Sequence, residues 1–411
     1  LKLFFHNVDR RCLTLMASMG CLAQSGLVLV SAHLSFAIRQ HSAFPPFSIF
    51  VKLHSRAYEL GSREWEMRRS IYEQRVLEAT AQNSQAHRRW TAGVNDLWDW
   101  TEQEHLALRG WRRGAYPWVG GERAALAPLG RRGTTFLGEK LREPAPIPRD
   151  RNWTYLHSAQ VIRNQGTCGS CWAIASTTML QAHTEIHKGT MRTFSPQELV
   201  SCVPNPQHCG GGGGCTGATV ELAMAWVMEH GCAEEHDVPY TMEDGRCAKN
   251  AAAPPVVLAA SFGMHSWERL PENEQLPLLR AVVELGPVAI SVAARSWTTY
   301  ARGVFDGCGR DAIVDHAVVL VGFGEELVTG DAYWLVQNSW GQRWGEDGRI
   351  RLLRHSNSTA WCGIDNQPEL GTGCKGGPSN VTVCGMCGML YDSVVPHFEA
   401  SPNRSLGVYD Q

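Results

Sequence analysis

Between Asn164 and Ala173 the chain reads Asn-Gln-Gly-Thr-Cys-Gly-Ser-Cys-Trp-Ala. An amide side chain, Gln165, stands six residues before Cys171, and a small-residue turn leads from it into an apolar run. Trp172, Ala175, Met179, Leu180 and Ile186 then recur at helical spacing, which predicts a helix with Cys171 in its first turn. A helix N-terminus stabilises negative charge and favours thiolate over thiol. A cysteine serving only as a disulfide partner in a turn gains nothing from that place. The run therefore demands a turn, a helix and a reactive sulfur at their junction.

Length and composition bound the rest. The 411 residues suit two or three modules, and 44% hydrophobic with 19% charged residues is a globular composition able to bury a core. A net charge of −2 without a basic stripe argues against nucleic acid as a partner. Fourteen cysteines, twelve of them from Cys168 onward, fit an oxidising compartment. So do the Asn-x-Ser/Thr triplets at Asn152, Asn357, Asn380 and Asn403.

In chain order, residues 1–40 carry Lys2, Arg10 and Arg11 ahead of an interrupted apolar run, the pattern of a signal peptide or signal anchor rather than of a spanning helix. Residues 44–115 are charged and helical in pattern, with Ser62 as a candidate N-cap. Residues 116–147 are rich in Gly, Arg and Pro and read as a linker. From about 150 to 256 the signals are helical: the helix after Cys171, a capped start at Ser195-Pro196, and a third helix over 218–230. Beyond 257, apolar runs at 286–292, 317–323 and 332–336 and an alternating run at 348–353 predict strands. A helical half followed by a β-rich half is an α+β chain with a cleft between the halves.

The Cys-Gly-Ser-Cys-Trp run resembles the signature of papain- and cathepsin-type cysteine proteases. The segment before it resembles the inhibitory propeptide of the cathepsin L-like branch. Glu64, Arg68, Ile71, Tyr72 and Asn83 fall on its spaced pattern, although Arg75 and Ala79 depart from it. Gly93-Val94-Asn95-Asp96-Leu97-Trp98-Asp99 matches its Gly-x-Asn-x-Phe-x-Asp motif with Leu97 in place of Phe. The resemblance implies a papain-like two-lobed fold, a helical lobe and a β-barrel-like lobe flanking the active-site cleft. It places the peptidase domain at 148–368, starting near 145–150 after processing, with a cysteine-containing extension at 369–411. The preceding linker would run backwards through the cleft.

Further downstream, His316 opens a strand-like run in Val-Asp-His-Ala-Val, 145 residues past Cys171, and Asn338 lies in Gln-Asn-Ser-Trp-Gly, 167 past it. The spacing expected for both partners is about 130 to 150 residues, so a longer hairpin around 325–331 is needed. By resemblance Cys171 is the nucleophile and His316 the general acid and base. Asn338 orients the imidazole, and Gln165 with the Cys171 N–H forms the oxyanion hole. Trp340 shields the His–Asn contact and borders the substrate site. Gly217 holds substrate backbone, with Ala218 where a second glycine is usual. Ala293 and Ala317 line a pocket suited to a bulky apolar side chain.

The resemblance also implies disulfides Cys168–Cys215, Cys202–Cys247 and Cys308–Cys362. Cys209, Cys232, Cys374, Cys384 and Cys387 remain; Cys209 and Cys232 are a candidate pair, and the odd count leaves one thiol over. Cys384-Gly-Met-Cys387 stands without a second pair or paired histidines, so a disulfide-stapled tail is favoured over a zinc site.

Together these readings describe an endopeptidase made as a zymogen, with no metal or organic cofactor. Its partners are protein and peptide substrates and its own propeptide as intramolecular inhibitor. The mature form is a monomer without a membrane span, in a lysosome or vacuole or secreted. Acid activation through carboxylates such as Asp99 follows from the same reading. The rivals are a silent peptide-binding or storage homologue, which typically loses one of the four site residues, and an acyltransferase using the same groups.

Overall fold

A computed structural model describes residues 43–110, 145–247 and 255–399. The N-terminal leader, most of the linker and the last residues of the tail lie outside the described residues.

The first described segment is a small helical unit. α1 (Phe47–Leu53) packs on the long α2 (Arg63–Ser84), whose start is capped by Ser62 Oγ accepting from the Trp65 N–H at 3.1 Å. Phe47, Phe50, Trp65, Tyr72 and Trp98 form its aromatic core. Arg68 reaches across to Glu104 and to the Asp99 carbonyl, and Asp99, wholly buried, is held by Arg56 and Tyr58. The Asn83 amide clamps both backbone groups of Ala92 at 2.9 Å. That clamp presents β1 (Trp90–Ala92) to the rest of the chain, and a capping box then opens α3 (Glu102–Leu108).

After the linker come β2 (Arg151–Asn152), α4 (His157–Gln160) and the central helix α5 (Cys171–Lys188), which ends on Gly189 in the left-handed conformation. α6 (Pro196–Cys202) starts on the Ser195 cap with Pro in its first turn, as expected, and α7 (Val220–His230) fills the third helical segment. A β3 (Cys232–Ala233) and β4 (Val256–Val257) pair and α8 (Ala259–Phe262) complete the helical half.

The β-rich half consists of β5 (Met264–Arg269), α9 (Gln275–Glu284), β6 (Val288–Val292), β7 (Tyr300–Phe305), β8 (His316–Glu325), β9 (Ala332–Gln337) and β10 (Arg349–Leu353). It is completed by β11 (Cys362–Asp365), β12 (Val381–Cys384) and β13 (Ser393–Phe398). The main sheet runs β1-β7-β10-β9-β8-β6-β13-β5, with β2 paired to β8. The path has two ends, so the sheet is open rather than closed into a barrel. Its outer strand, β1, belongs to the N-terminal unit and pairs antiparallel with β7. One apolar cluster joins that unit to the sheet; a second lies between α5, α6, α7 and the opposite sheet face. The predicted hairpin insertion is real: residues 326–331 separate β8 from β9.

The tail departs from three expectations. β13 is an interior strand between β6 and β5, so Ser393–Phe398 is part of the main sheet and not of an appendage following 368. Cys308 is bonded to Cys387 rather than Cys362, because the β11–β12 register sets Cys362 opposite Cys384, where those two form their own bridge. Cys209 pairs with Cys374 and not with Cys232, which is a buried free thiol beside the Ser195 carbonyl. Cys168–Cys215 and Cys202–Cys247 form as expected. The two cysteines of Cys-Gly-Met-Cys thus enter different bridges.

Candidate active site

Cys171 is the first residue of α5, where the backbone N–H has no partner within the helix. His316 is the first residue of β8, and its Nε2 donates to Asn338 Oδ1 at 2.8 Å. Asn338 follows β9, and the same oxygen accepts from the Ser339 N–H at 2.8 Å. With Nε2 committed, the buried Nδ1 of His316 is the nitrogen without a partner. It borders the cleft pocket that also holds Cys171, Gly217, Ala317 and Ser291. The Trp340 ring lies tilted beside the imidazole, centroids 5.0 Å apart, backed by Trp297 and Trp344, which keeps water from the His–Asn bond.

Gln165 is fully buried. Its Oε1 accepts from Ser339 Oγ at 2.6 Å, which turns Nε2 towards the cleft. There Nε2 donates to Cys168 O at 2.9 Å and to Leu108 O, a carbonyl of the N-terminal unit, at 2.6 Å. Two residues on, Gly110 lies against Gly169 and Gly217: a Cβ at Gly169 would sit 2.4 Å from Gly110 Cα, and one at Gly217 2.6 Å from Gly110 O. Gly217 also has φ +96°, which L side chains rarely adopt. Residues 108–110 therefore occupy the groove at the nucleophile. Between them Arg109 extends its guanidinium to Asp315, Nε to Oδ2 2.8 Å.

That occupancy sets the electrostatics. Burial pushes the Cys171 thiol up to about 11, against donors from the Ala317 and Trp172 backbone. Burial also holds His316 down to about 4, outweighing the Asn338 bond. Both shifts run in the direction that disfavours the charged forms, thiolate and imidazolium. Burial raises Asp315 to about 6, with Arg109 opposing it.

A family model described as papain family cysteine protease matches residues 147–372. The chain belongs to the papain family. It is 34% identical to cysteine protease 1 of Oryza sativa over 332 residues, covering 77% of this chain and 62% of that protein. It is 35% identical to cathepsin K of Mus musculus over 210 residues, 50% of this chain and 59% of that one. The chain thus spans less than two thirds of either relative. Among solved structures, digestive procathepsin L2 of Tenebrio molitor larval midgut superposes with a TM-score of 0.64 at 26% identity, covering 85% of this chain and 98% of that one.

Within the papain family frame, the structure brings Cys171, His316, Asn338 and Gln165 to one cleft. Gly217 and Ala317 line it with them. Ala293 does not: it lies past the end of β6, its N–H bonded to Cys387 O, and Ser291, the register partner of Ala317, lines the pocket instead. Trp340 backs the imidazole without bordering that pocket.

Sequence reasoning passed over Ser339, which orients Gln165, and Tyr240, whose hydroxyl bonds the Gln165 carbonyl at 3.0 Å and Ser170 Oγ. Ser339 was legible as the neighbour of Asn338; nothing local marked Tyr240. Replacing Asn338 with Ala is expected to lower kcat about 100-fold with KM little changed, since it frees the imidazole to rotate without touching substrate. Steady-state kinetics on matured enzyme checks this. An equal loss in KM would assign Asn338 to binding.

Proposed function

We propose that the chain is a cysteine endopeptidase of the cathepsin L-like kind, synthesised as a zymogen whose N-terminal unit plugs its own cleft with residues 108–110. The observation carrying this reading is the cleft itself. A cysteine at a helix N-terminus and an imidazole fixed by an asparagine share one pocket, while the carbonyl of Leu108 occupies the buried glutamine amide.

Once the groove empties, His316 takes the Cys171 proton and the thiolate attacks the peptide carbonyl carbon. The oxyanion that forms is held by Gln165 Nε2 and the Cys171 N–H. The imidazolium protonates the leaving amine as the C–N bond breaks, leaving an acyl-thioester. His316 then deprotonates a water that attacks the thioester, and the thiolate departs. Every step uses side chains of this chain.

The mature enzyme acts as a monomer on proteins and peptides within the secretory route, lysosomal, vacuolar or extracellular. Five disulfides among the described residues support an oxidising compartment. The retained Gln165, Cys171, His316 and Asn338 count against a silent homologue.

A thiol-directed epoxide tests the reading. Acid-matured protein is expected to incorporate one equivalent at Cys171 and lose peptidase activity, and the Cys171→Ala chain to take up none. Labelling at Cys232 in place of Cys171, or peptide hydrolysis by Cys171→Ala, would overturn it.

A further inference from the structure

The plug shows more than inhibition, because one of its side chains is held as a ligand would be. Leu108 O sits on the Gln165 amide and Gly110 in the Gly169–Gly217 cradle, so Arg109 straddles the nucleophile. Its side chain is only 3% exposed, and its Nε stands 2.8 Å from Asp315 Oδ2. The other Asp315 oxygen accepts from the Ala294 N–H at 3.1 Å, which fixes the carboxylate in place before any ligand arrives. Among the described residues Arg109 is the one cation within ion-pair distance of Asp315. When the plug leaves, a pre-oriented carboxylate, 11% exposed with Arg109 in place, loses its counter-charge at the edge of the cleft.

A carboxylate in a cleft that loses its counter-charge loses the favourable pairing, and a cation entering the same place restores it. We propose that Asp315 selects a basic side chain, arginine or lysine, at the substrate residue just past the scissile bond, and that Arg109 stands in for that residue in the zymogen. The inference rests on the thiol-protease reading above and names a substrate class for it.

The side of the bond is part of the proposal: His316 must protonate the leaving amine, and Asp315, which lines the pocket with it, is taken as the group that meets the residue carrying that amine. One group acts against the proposal. Glu102, which lies 3.6 Å from Arg295 and 3.5 Å from Arg109, departs with the plug and leaves Arg295 unneutralised on that side. Arg295 is 78% exposed, so water screens it far more than it screens Asp315.

Acyl-enzyme partitioning tests the pocket without disturbing the acyl half. Matured enzyme turning over one peptide ester at neutral pH is offered argininamide, citrullinamide or norleucinamide as acceptor. Argininamide is expected to capture the acyl group about tenfold more efficiently than citrullinamide, its uncharged isostere. Asp315→Asn should bring the two within about twofold, and Asp315→Glu should restore part of the preference. Equal capture by the unsubstituted enzyme overturns the proposal even if neither variant folds, as does a preference that survives in Asp315→Asn. Absence of any acyl-enzyme sinks this inference together with the protease reading; equal capture sinks the selectivity alone.

Discussion

A chain ended at Thr372, where the family match stops, is expected to yield no folded protein. The segment it lacks supplies β13, which is hydrogen-bonded between β6 and β5 in the interior of the sheet. Met386, Met389, Leu390, Val394 and Val395 are buried to 3% exposure or less, and Phe398 to 9%. At about 1.5 to 3 kcal/mol for each buried side chain, their loss is on the order of 10 kcal/mol. That matches the whole stability of an ordinary domain, about 5 to 15 kcal/mol.

The cut also removes one cysteine from each of three bridges and leaves Cys209, Cys308 and Cys362 unpaired. It reaches the cleft as well, because Ser291, a pocket residue, gives its N–H to Asp392 O at 2.9 Å and its hydroxyl to Asp392 Oδ2 at 2.6 Å. Size-exclusion chromatography and near-ultraviolet circular dichroism of the two chains decide the matter. A truncated chain that elutes as a monomer and melts cooperatively near the full-length temperature would show that β13 is dispensable.

That strand also marks where reading the sequence ran out. The catalytic groups were legible because each sits in a short run whose neighbours have fixed jobs: Gln165 and Cys171 around a turn, His316 at a strand start, Asn338 before Trp340. The runs at 286–292, 317–323, 332–336 and 348–353 became β6, β8, β9 and β10 within two residues, since apolar stretches bounded by Gly or Asp have few other uses. Ser-Val-Val-Pro-His-Phe carries no sign of an interior strand, since Pro396 has no N–H to give a ladder. The sheet tolerates it because only Ser393 and Val394 pair with β6, and Pro396 lies beyond them. Disulfide partners were illegible for a different reason. Pairing Cys308 with Cys387 depends on where the β11–β12 hairpin lands, and no local spacing encodes that. Ala293 was misplaced by two residues, enough to carry it off the end of β6 and out of the pocket.

Acid release of the plug is expected to quicken about 30-fold between neutral pH and pH 3, most of it below about pH 4.5, with little change between pH 7 and 5. The sign comes from Glu104. Burial alone would raise its pKa, but the Arg68 fork and the Thr101 donors outweigh burial and bring it down to about 2. A carboxylate depressed in the folded state contributes fully above its ordinary value, 4.5, and loses that contribution as the pH falls towards 2. At pH 3 the loss is about 2 kcal/mol, roughly 30-fold.

Asp96, which grips Arg343 across the interface at 2.9 Å, is lowered as well, by His54 and Arg343 against burial, and adds in the same direction. The ordinary value of Glu104, 4.5, places the onset near pH 4.5 rather than in the histidine range. Catalysis has its own pH dependence, so release is read from hydrogen exchange of α2 in the Cys171→Ala zymogen. With rates divided by the intrinsic exchange rate at each pH, Glu104→Gln should be as weakly protected at pH 6 as the parent is near pH 3, with its acid limb flattened. A parent zymogen opening equally fast at pH 4 and 7.5, or an unchanged acid limb in Glu104→Gln, would remove the carboxylate latch from the account of activation.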